Sequence, residues 1–344
     1  MFQIKISDSN VLFSKFFSPS DRETVLTELA ALEARQVVFI DTPATEQLVA
    51  TAEALVADGV NVVVRDHHDE LAPSNPRAQS IADAASRLRE VASDAIISSR
   101  AEHPACSTLI TSGEFNAEGT VIVADSDLDG LTGAMKALGV TYEQIDADAA
   151  VFDERPKQSA ETLSELGWLA CRALGTLPPF NPKAPQRSED AKAEFFQSFV
   201  DASQGDETAL DGLRQKVAQY EEQVGAAKAL AETATEVAPS TWLVDSREAP
   251  RFELNTLTRA LETKGAKVTV VVKAFGPIAA QHGAQYSLAV SKRHQQDINL
   301  QSLLPDDFES SPAAGIISNT TFLLHVSEVV WNETVLPALK ARLG

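Results

Sequence analysis

Basic residues are scarce. The 344-residue chain carries 29 Lys and Arg against 49 Asp and Glu, a formal net charge of −20. That balance argues against a protein that coats duplex nucleic acid through a broad cationic face. It leaves room for a local basic groove, or for a site where divalent metals carry the positive charge. Cysteine is scarcer still. Cys106 and Cys171 lie far apart, form no metal-type pair and are not needed as a staple at this length, so a reducing cytoplasm is the expected setting. Aromatic residues make up 6% of the chain, which leaves few platforms for stacking bases. No apolar run reaches the length of a membrane span. The opening stretch MFQIKISDSNVLF has neither the long apolar core nor the cleavage site expected of a signal peptide. The rest of the composition is ordinary for a soluble globular chain: 44% hydrophobic, 23% charged, and long enough for two domains with sizeable cores.

The hydrophobic pattern predicts alternating strands and helices. QVVFID (36–41) reads as a buried strand ending at Asp41. TPATEQLVATAEALVADG (42–59), with a Thr cap, an early Pro, helical apolar spacing and a closing Gly, reads as a helix. VNVVVRD (60–66) is the next strand. This β-α-β unit favours parallel pairing, and parallel sheets gather ligands at the carboxyl ends of their strands. A helix is expected at 78–91, a strand at 94–98 and a mixed loop over 99–120. A strand at 120–124 then leads through an acidic turn into a helix reaching Gly139. ADAAVFD (147–153) reads as another short strand, and helices are expected near 159–174 and 188–202, separated by a Pro-rich surface loop at 178–189. The charged, Ala-rich stretch 206–236 reads as a connecting helix. Strands at 241–245, 266–275 and 286–293 and helices near 252–264 and 328–342 complete a second α/β domain.

Two acidic motifs end buried strands. DHHDE (66–70) places two of only six histidines between carboxylates. DSDLDG (125–130) places Asp125, Asp127 and Asp129 at alternate positions. Carboxylates gathered at one point raise one another's pKa, and bound divalent cations relieve that repulsion. Oxygen ligands alone suit Mg²⁺ or Ca²⁺; adding imidazole shifts preference toward Mn²⁺, Fe²⁺ or Zn²⁺. An EF-hand loop would need Glu at its twelfth position, where Lys136 stands. Solvated acidic turns are the plain alternative for either motif taken alone.

DHH after an apolar strand, DSDLDG before a helix and a strand-end Asp such as Asp41 resemble the DHH phosphoesterase superfamily, nearest to its RecJ-type single-strand exonucleases. VIVADSDLDGLTGAMKALG looks like the first family motif, QVVFIDTP the second and VNVVVRDHHDE the third. ADAAVFDERPKQSAETLSELGWLACRAL is similar to the family segment that comes after DHH, and FFQSFVDASQGD to the fourth motif, with Asp201 as its acid. The motif order differs: the lone Asp and DHH precede D-x-D, as in a circularly permuted domain. The His often found before the first motif is absent, with Val123 near its place. GAQYSLAVSKRHQQDINLQSLLP resembles part of the family's substrate domain, without its Gly-rich loop; SSPAAGIISN (310–319) stands roughly there.

The resemblance implies an α/β fold with a mainly parallel catalytic domain (1–205), a long connecting helix (206–238) and a smaller C-terminal α/β substrate domain (239–344). It implies two Mn²⁺ ions, or Mg²⁺ as a substitute, held by Asp41, His67, Asp125, Asp127 and Asp201, with Asp41 bridging and Asp129 outside the direct ligands or at the turn. His68 would stand at the scissile phosphate as hydrogen-bond donor or general acid, and Asp66 would orient an imidazole. Lys292, Arg293 and His294 are the candidates for gripping a substrate phosphate. The activity implied is metal-dependent hydrolysis of single-stranded or short oligonucleotides. Cyclic dinucleotides or pyrophosphate as substrates, or an inactive DHH-like binding or scaffold subunit, are the alternatives.

Overall fold

A computed structural model gives the structure and describes all residues except 15–18, 69–77, 155–161, 179–184, 306–309, 311 and 344. Asp69 and Glu70 of the DHHDE motif and much of the Pro-rich loop therefore lie outside the described residues. The chain divides into two units, Met1–Val217 and Ala218–Gly344.

The first unit is organised by a six-stranded sheet among its described residues. Its strands are β1 (Phe2–Ile6), β2 (Ser9–Phe13), β3 (Gln36–Ile40), β4 (Asn61–Asp66), β5 (Asp94–Ile97) and β6 (Thr120–Ala124), in the spatial order β1-β2-β6-β3-β4-β5. β2, β6, β3, β4 and β5 run parallel, and only β1 is antiparallel to its neighbour. The central strands QVVFI, NVVVRD and TVIVA are apolar on both faces because both faces are covered. Val37, Phe39, Val62, Val64, Val121 and Val123 join the core lined by α1 (Pro19–Ala31), α2 (Glu46–Ala57) and α3 (Ala78–Val91). The alternate residues Val38, Ile40, Val63, Ile122 and Ala124 pack against α4 (Leu128–Ala137), α6 (Glu165–Leu174) and α7 (Pro185–Ser203). α5 (Ile145–Glu154) packs beside α4.

Register aligns the three strand ends that matter. Ile40 stands beside Arg65 on one side and Ala124 on the other. The next residues of β3 and β6, Asp41 and Asp125, and the last of β4, Asp66, therefore emerge together at the carboxyl edge of the sheet. This is the edge where open α/β sheets bind ligands.

The division between units falls inside α8 (Glu207–Glu232). Among its described residues the second unit carries its own six-stranded sheet, made of β7 (Thr235–Ala238), β8 (Thr241–Asp245), β9 (Val268–Lys273), β10 (Gln285–Val290), β11 (Ile316–Thr320) and β12 (Leu323–Val326). Their order is β11-β12-β10-β9-β8-β7, with only β8 and β9 parallel. Ala227 and Ala231 of α8 and Leu257 and Leu261 of α9 (Leu254–Thr263) cover Val244 and Val271 on one face. On the other face Tyr286 stacks on Trp331, with ring centroids 5.4 Å apart, within a core that includes Val270, Val272, Leu288 and Leu339.

The structure departs from the sequence expectations at several points. Residues 147–153 are helical, part of α5. Val151 and Phe152 suggest a strand, but buried Ile145 and Ala149 are spaced one helical turn apart, and that spacing decides the element. The connecting helix ends at Glu232, and β7 takes residues read as its last turn. β10 stops at Val290, so Lys292–His294 form a single 3₁₀ turn rather than a strand end. Among the described residues no helix is long and apolar enough to cross a membrane.

Candidate metal centre

Asp41 leaves β3 in the left-handed region, at φ 55°. Asp tolerates that conformation better than most residues, though at a cost. Its side chain is almost fully buried, 1% exposed, against the first residues after β4. His67 is completely buried. Its Nδ1 lies 2.8 Å from the carbonyl oxygen of His103. A carbonyl only accepts, so Nδ1 carries the ring proton and Nε2 presents a lone pair. That lone pair faces two carboxylate oxygens, Asp41 Oδ1 at 3.2 Å and Asp129 Oδ2 at 3.3 Å. His67 Nε2, Asp41 Oδ1 and Asp129 Oδ1 are buried and have no hydrogen-bond partner.

Asp129 is fixed from behind. The backbone N–H of Cys106 donates to its Oδ2 at 3.0 Å, while the Cys106 thiol donates to the carbonyl of Arg65. Asp127 caps α4, its Oδ1 accepting from the N–H of Gly130 at 2.9 Å. Gly130 is required here, because a Cβ at that position would collide with the carbonyl of Asp125 and the acidic turn could not close against the helix. Arg65, a buried residue of β4, holds Asp94 at 2.6 Å and Glu114 at 2.7 Å one residue before Asp66.

His68 is held differently. Its Nδ1 lies 2.7 Å from Asp66 Oδ1, and its backbone N–H donates to Asp66 Oδ2. Its Nε2 lies 2.8 Å from Arg100 Nη2. Guanidinium can only donate, so Nε2 accepts and Nδ1–H donates to Asp66. Arg100 also clasps Asp153, through Nε at 2.6 Å and Nη2 at 2.8 Å.

Electrostatics follow from burial and crowding. Burial holds the Asp41 carboxyl well above the usual range, and Asp129, Asp127, Asp66 and Asp125 push it further. Asp129 is likewise raised by burial, then by Asp127 and Asp153, against the pull of the Cys106 N–H. Burial pushes His67 down, so it stays neutral. The Cys106 thiol is raised by burial and then by Asp41, which keeps it protonated. Neutral imidazole facing two buried carboxylates is an arrangement that a divalent cation resolves. Among the described residues, two three-residue groups have ligand atoms within 4.8 Å of one another: Asp41, His67 and His68, and His67, Asp129 and Asp153. Orphaned buried ligand atoms of mixed nitrogen and oxygen type fit a divalent metal ion.

The expected residues thus divide. Asp41, Asp66, His67 and His68 come together. Asp129, expected outside the direct ligands, lies against His67, whereas Asp125 and Asp127 belong to neither three-residue group among the described residues. The helical turn points the third acid of the motif inward and leaves the second to cap α4. Asp201 is not brought to the cluster either. It accepts from Gln197 on α7, and the same Gln197 accepts from the Lys5 backbone on β1. β1 lies three strands from β3, each step about 4.8 Å. Lys292 and Arg293 are exposed in their 3₁₀ turn in the second unit. Asp153, Arg100 and the His103 carbonyl were not read from the sequence. Asp153 becomes visible once 145–154 is read as a helix with an acid at its end; Arg100 and His103 lie in an irregular loop with no motif to mark them.

No family model matches the chain, and no curated protein matches it. Solved structures do. A DHH-domain protein described as a member of a ribosomal-protein family is similar over 96% of this chain and 76% of its own, at 15% identity and a TM-score of 0.38. The pGpG-specific phosphodiesterase PggH of Vibrio cholerae is similar over 90% of this chain and 98% of its own, at 11% identity and a TM-score of 0.38. A manganese-bound RecJ exonuclease is similar over 93% of this chain and 77% of its own, at 13% identity and a TM-score of 0.39.

Proposed function

We propose that the chain is a DHH-type, metal-dependent phosphoesterase that hydrolyses phosphodiester bonds of single-stranded or short oligonucleotides. The observation that carries this reading is the convergence of buried Asp41, His67 and Asp129, each with one side-chain atom lacking a hydrogen-bond partner, at the carboxyl edge of a parallel sheet. Asp41, His67, Asp129 and Asp153 are the residues that would hold Mn²⁺, with Asp127 and Asp125 adding negative charge nearby. Bound there, divalent ions polarise a phosphoryl oxygen and acidify water beside it.

The chain's own residues supply the rest. The His103 carbonyl fixes the His67 tautomer that exposes Nε2. Asp66 fixes His68 so that its Nε2 faces outward, able to take a proton and, once protonated, to give it to the leaving oxygen. Arg100 stands at that nitrogen as a ready partner for a phosphate oxygen, with its other donors keeping Asp153 in place. A cavity of about 660 Å³ borders the acidic turn at Ser126 and is walled by Phe2, Phe13, Leu174 and Lys192, a size that accepts a nucleoside. The order of the motifs is read as a circular permutation, which adjacency of β4, β3 and β6 allows because chemistry depends on where strand ends meet. A panel of labelled dinucleotides, single-stranded 20-mers, cyclic dinucleotides and pyrophosphate, each with Mn²⁺, tests the reading. Cleavage of linear substrates supports it; turnover of pyrophosphate alone would replace it.

A further inference from the structure

The ligand atoms at the metal centre describe a single position. Among the described residues both three-residue groups contain His67. Its Nδ1 proton goes to the His103 carbonyl, so only Nε2 has a lone pair, and one lone pair binds one ion. His68 brings no second free nitrogen, because Asp66 takes its Nδ1 and Arg100 its Nε2. Asp41 Oδ1 and Asp129 Oδ2 stand 3.2 Å and 3.3 Å from His67 Nε2. Ligands about 2.1 Å from an ion and at right angles to one another are about 3 Å apart, so these atoms suit neighbouring places around the same ion.

The acids expected to serve a second ion are engaged otherwise. Asp127 Oδ1 accepts from the Gly130 N–H at 2.9 Å as the cap of α4. Asp125 Oδ1 accepts from the Ser126 N–H at 2.5 Å. Asp201 Oδ1 accepts from Gln197. α7, the helix that carries Asp201, sends a different group to the acidic turn. The Lys192 ammonium donates to the carbonyl of Ser126, the residue between Asp125 and Asp127. Phe196 lies one helical turn further along α7 and is fully buried, with its ring centroid 5.7 Å from that ammonium. The lysine is thus anchored in the core on one side and reaches the turn on the other.

We infer that the centre takes one divalent ion, at His67, Asp41, Asp129 and Asp153, and that Lys192 supplies the second positive charge at the Asp125–Asp127 turn. Carboxylates gathered at one strand edge repel, and a fixed ammonium relieves that repulsion as a second ion would. It does so through a covalently held group that cannot dissociate. The inference rests on the metal-centre reading and departs from the two ions that the family resemblance implies. Lys192 also walls the cavity beside Ser126, so its charge belongs to the same edge of the site.

The test is a count of Mn²⁺ ions. The full chain, stripped with EDTA and dialysed, is titrated with Mn²⁺ by calorimetry, and the loaded protein is examined by electron paramagnetic resonance. The wild type is expected to bind one ion per chain and to show the hyperfine pattern of an isolated ion. Lys192→Ala removes the ammonium and leaves the acids of the turn uncompensated. It should gain a second, weaker Mn²⁺ and the broadened signal of a coupled pair. Lys192→Arg keeps the charge and should stay at one. Circular dichroism confirms that both variants fold, and the wild-type count needs no variant. Two ions per wild-type chain with a coupled signal would overturn the inference while leaving the metal-centre reading intact. A Lys192→Ala chain that binds one ion as the wild type does would overturn the role of Lys192. A wild type that binds no Mn²⁺ would overturn the metal-centre reading, and the inference with it.

Discussion

The Nε2 of His67 stands 3.2 Å from Asp41 Oδ1, and neither atom has a hydrogen-bond partner. With its other nitrogen committed to the His103 carbonyl, His67 has no proton to offer Asp41. Two lone pairs therefore face one another in a fully buried position, and the arrangement is stable only when a proton or a metal ion lies between them. The expected behaviour of the centre derives from that relationship.

Metal affinity should depend on Asp129 and not on Asp201. Asp129→Asn keeps the shape of the side chain and removes a charge facing His67. We expect Mn²⁺ binding measured by calorimetry to weaken by about 100-fold or more, beyond the usual loss for a residue that only supports a ligand. Asp201→Asn, on α7, should bind Mn²⁺ as the wild type does. A reversed outcome would return Asp201 to the ligand set and move Asp129 out of it.

The metal-free protein should lose stability as pH rises. Asp41 and Asp129 have folded-state pKa values raised well above 3.8, so between the ordinary and raised values the folded state binds more protons than the unfolded one. The stability they contribute is complete below the unfolded value and disappears as pH climbs through the folded values. Thermal melts in EDTA across that range should show the decline, and Asp41→Asn should flatten it. Because metal binding displaces those protons, saturating Mn²⁺ should reverse the slope. Parallel EDTA curves for the two proteins would remove Asp41 from the buried cluster.

Arg100→Ala should separate support from binding. It frees Asp153 and uncovers His68 Nε2 but removes none of the residues facing His67. We expect about a 10- to 100-fold loss of kcat/KM, with partial rescue by added guanidinium and with Mn²⁺ still bound. Wild-type kinetics would make Arg100 a surface ion pair.

Gly130→Ala should disturb the acidic turn through its backbone. The added methyl meets the Asp125 carbonyl, which cannot rotate away as a side chain would. A destabilisation of about 1–3 kcal/mol by chemical denaturation, with weaker Mn²⁺ binding, is expected. An unchanged midpoint and affinity would show that the turn opens freely.

The parallel core was legible because its strands are continuous apolar runs, QVVFI, NVVVRD and TVIVA, each ending in an acid or leading straight into one. Buried on both faces, such runs leave little room for another reading. The sheet edge shared by Asp41, Asp66 and His67 followed from that. The choice among the three acids of DSDLDG was not legible, since alternate spacing treats them alike. Only the helix begun at Leu128 separates them, turning Asp129 inward and leaving Asp127 as its cap. Asp153 was hidden by the strand-like pair Val151-Phe152. β1 and β2 escaped notice because their five-residue strands are joined through Ser7 at φ 53°, without a glycine to mark the turn.

The most direct measurement is release of p-nitrophenol from bis(p-nitrophenyl) phosphate by the purified chain, with and without Mn²⁺, alongside Asp129→Asn. The account predicts turnover that requires Mn²⁺, stops on chelation and is lost in the variant. A wild-type chain with Mn²⁺ demonstrably bound and no turnover, or an Asp129→Asn chain as active as the wild type, would contradict it.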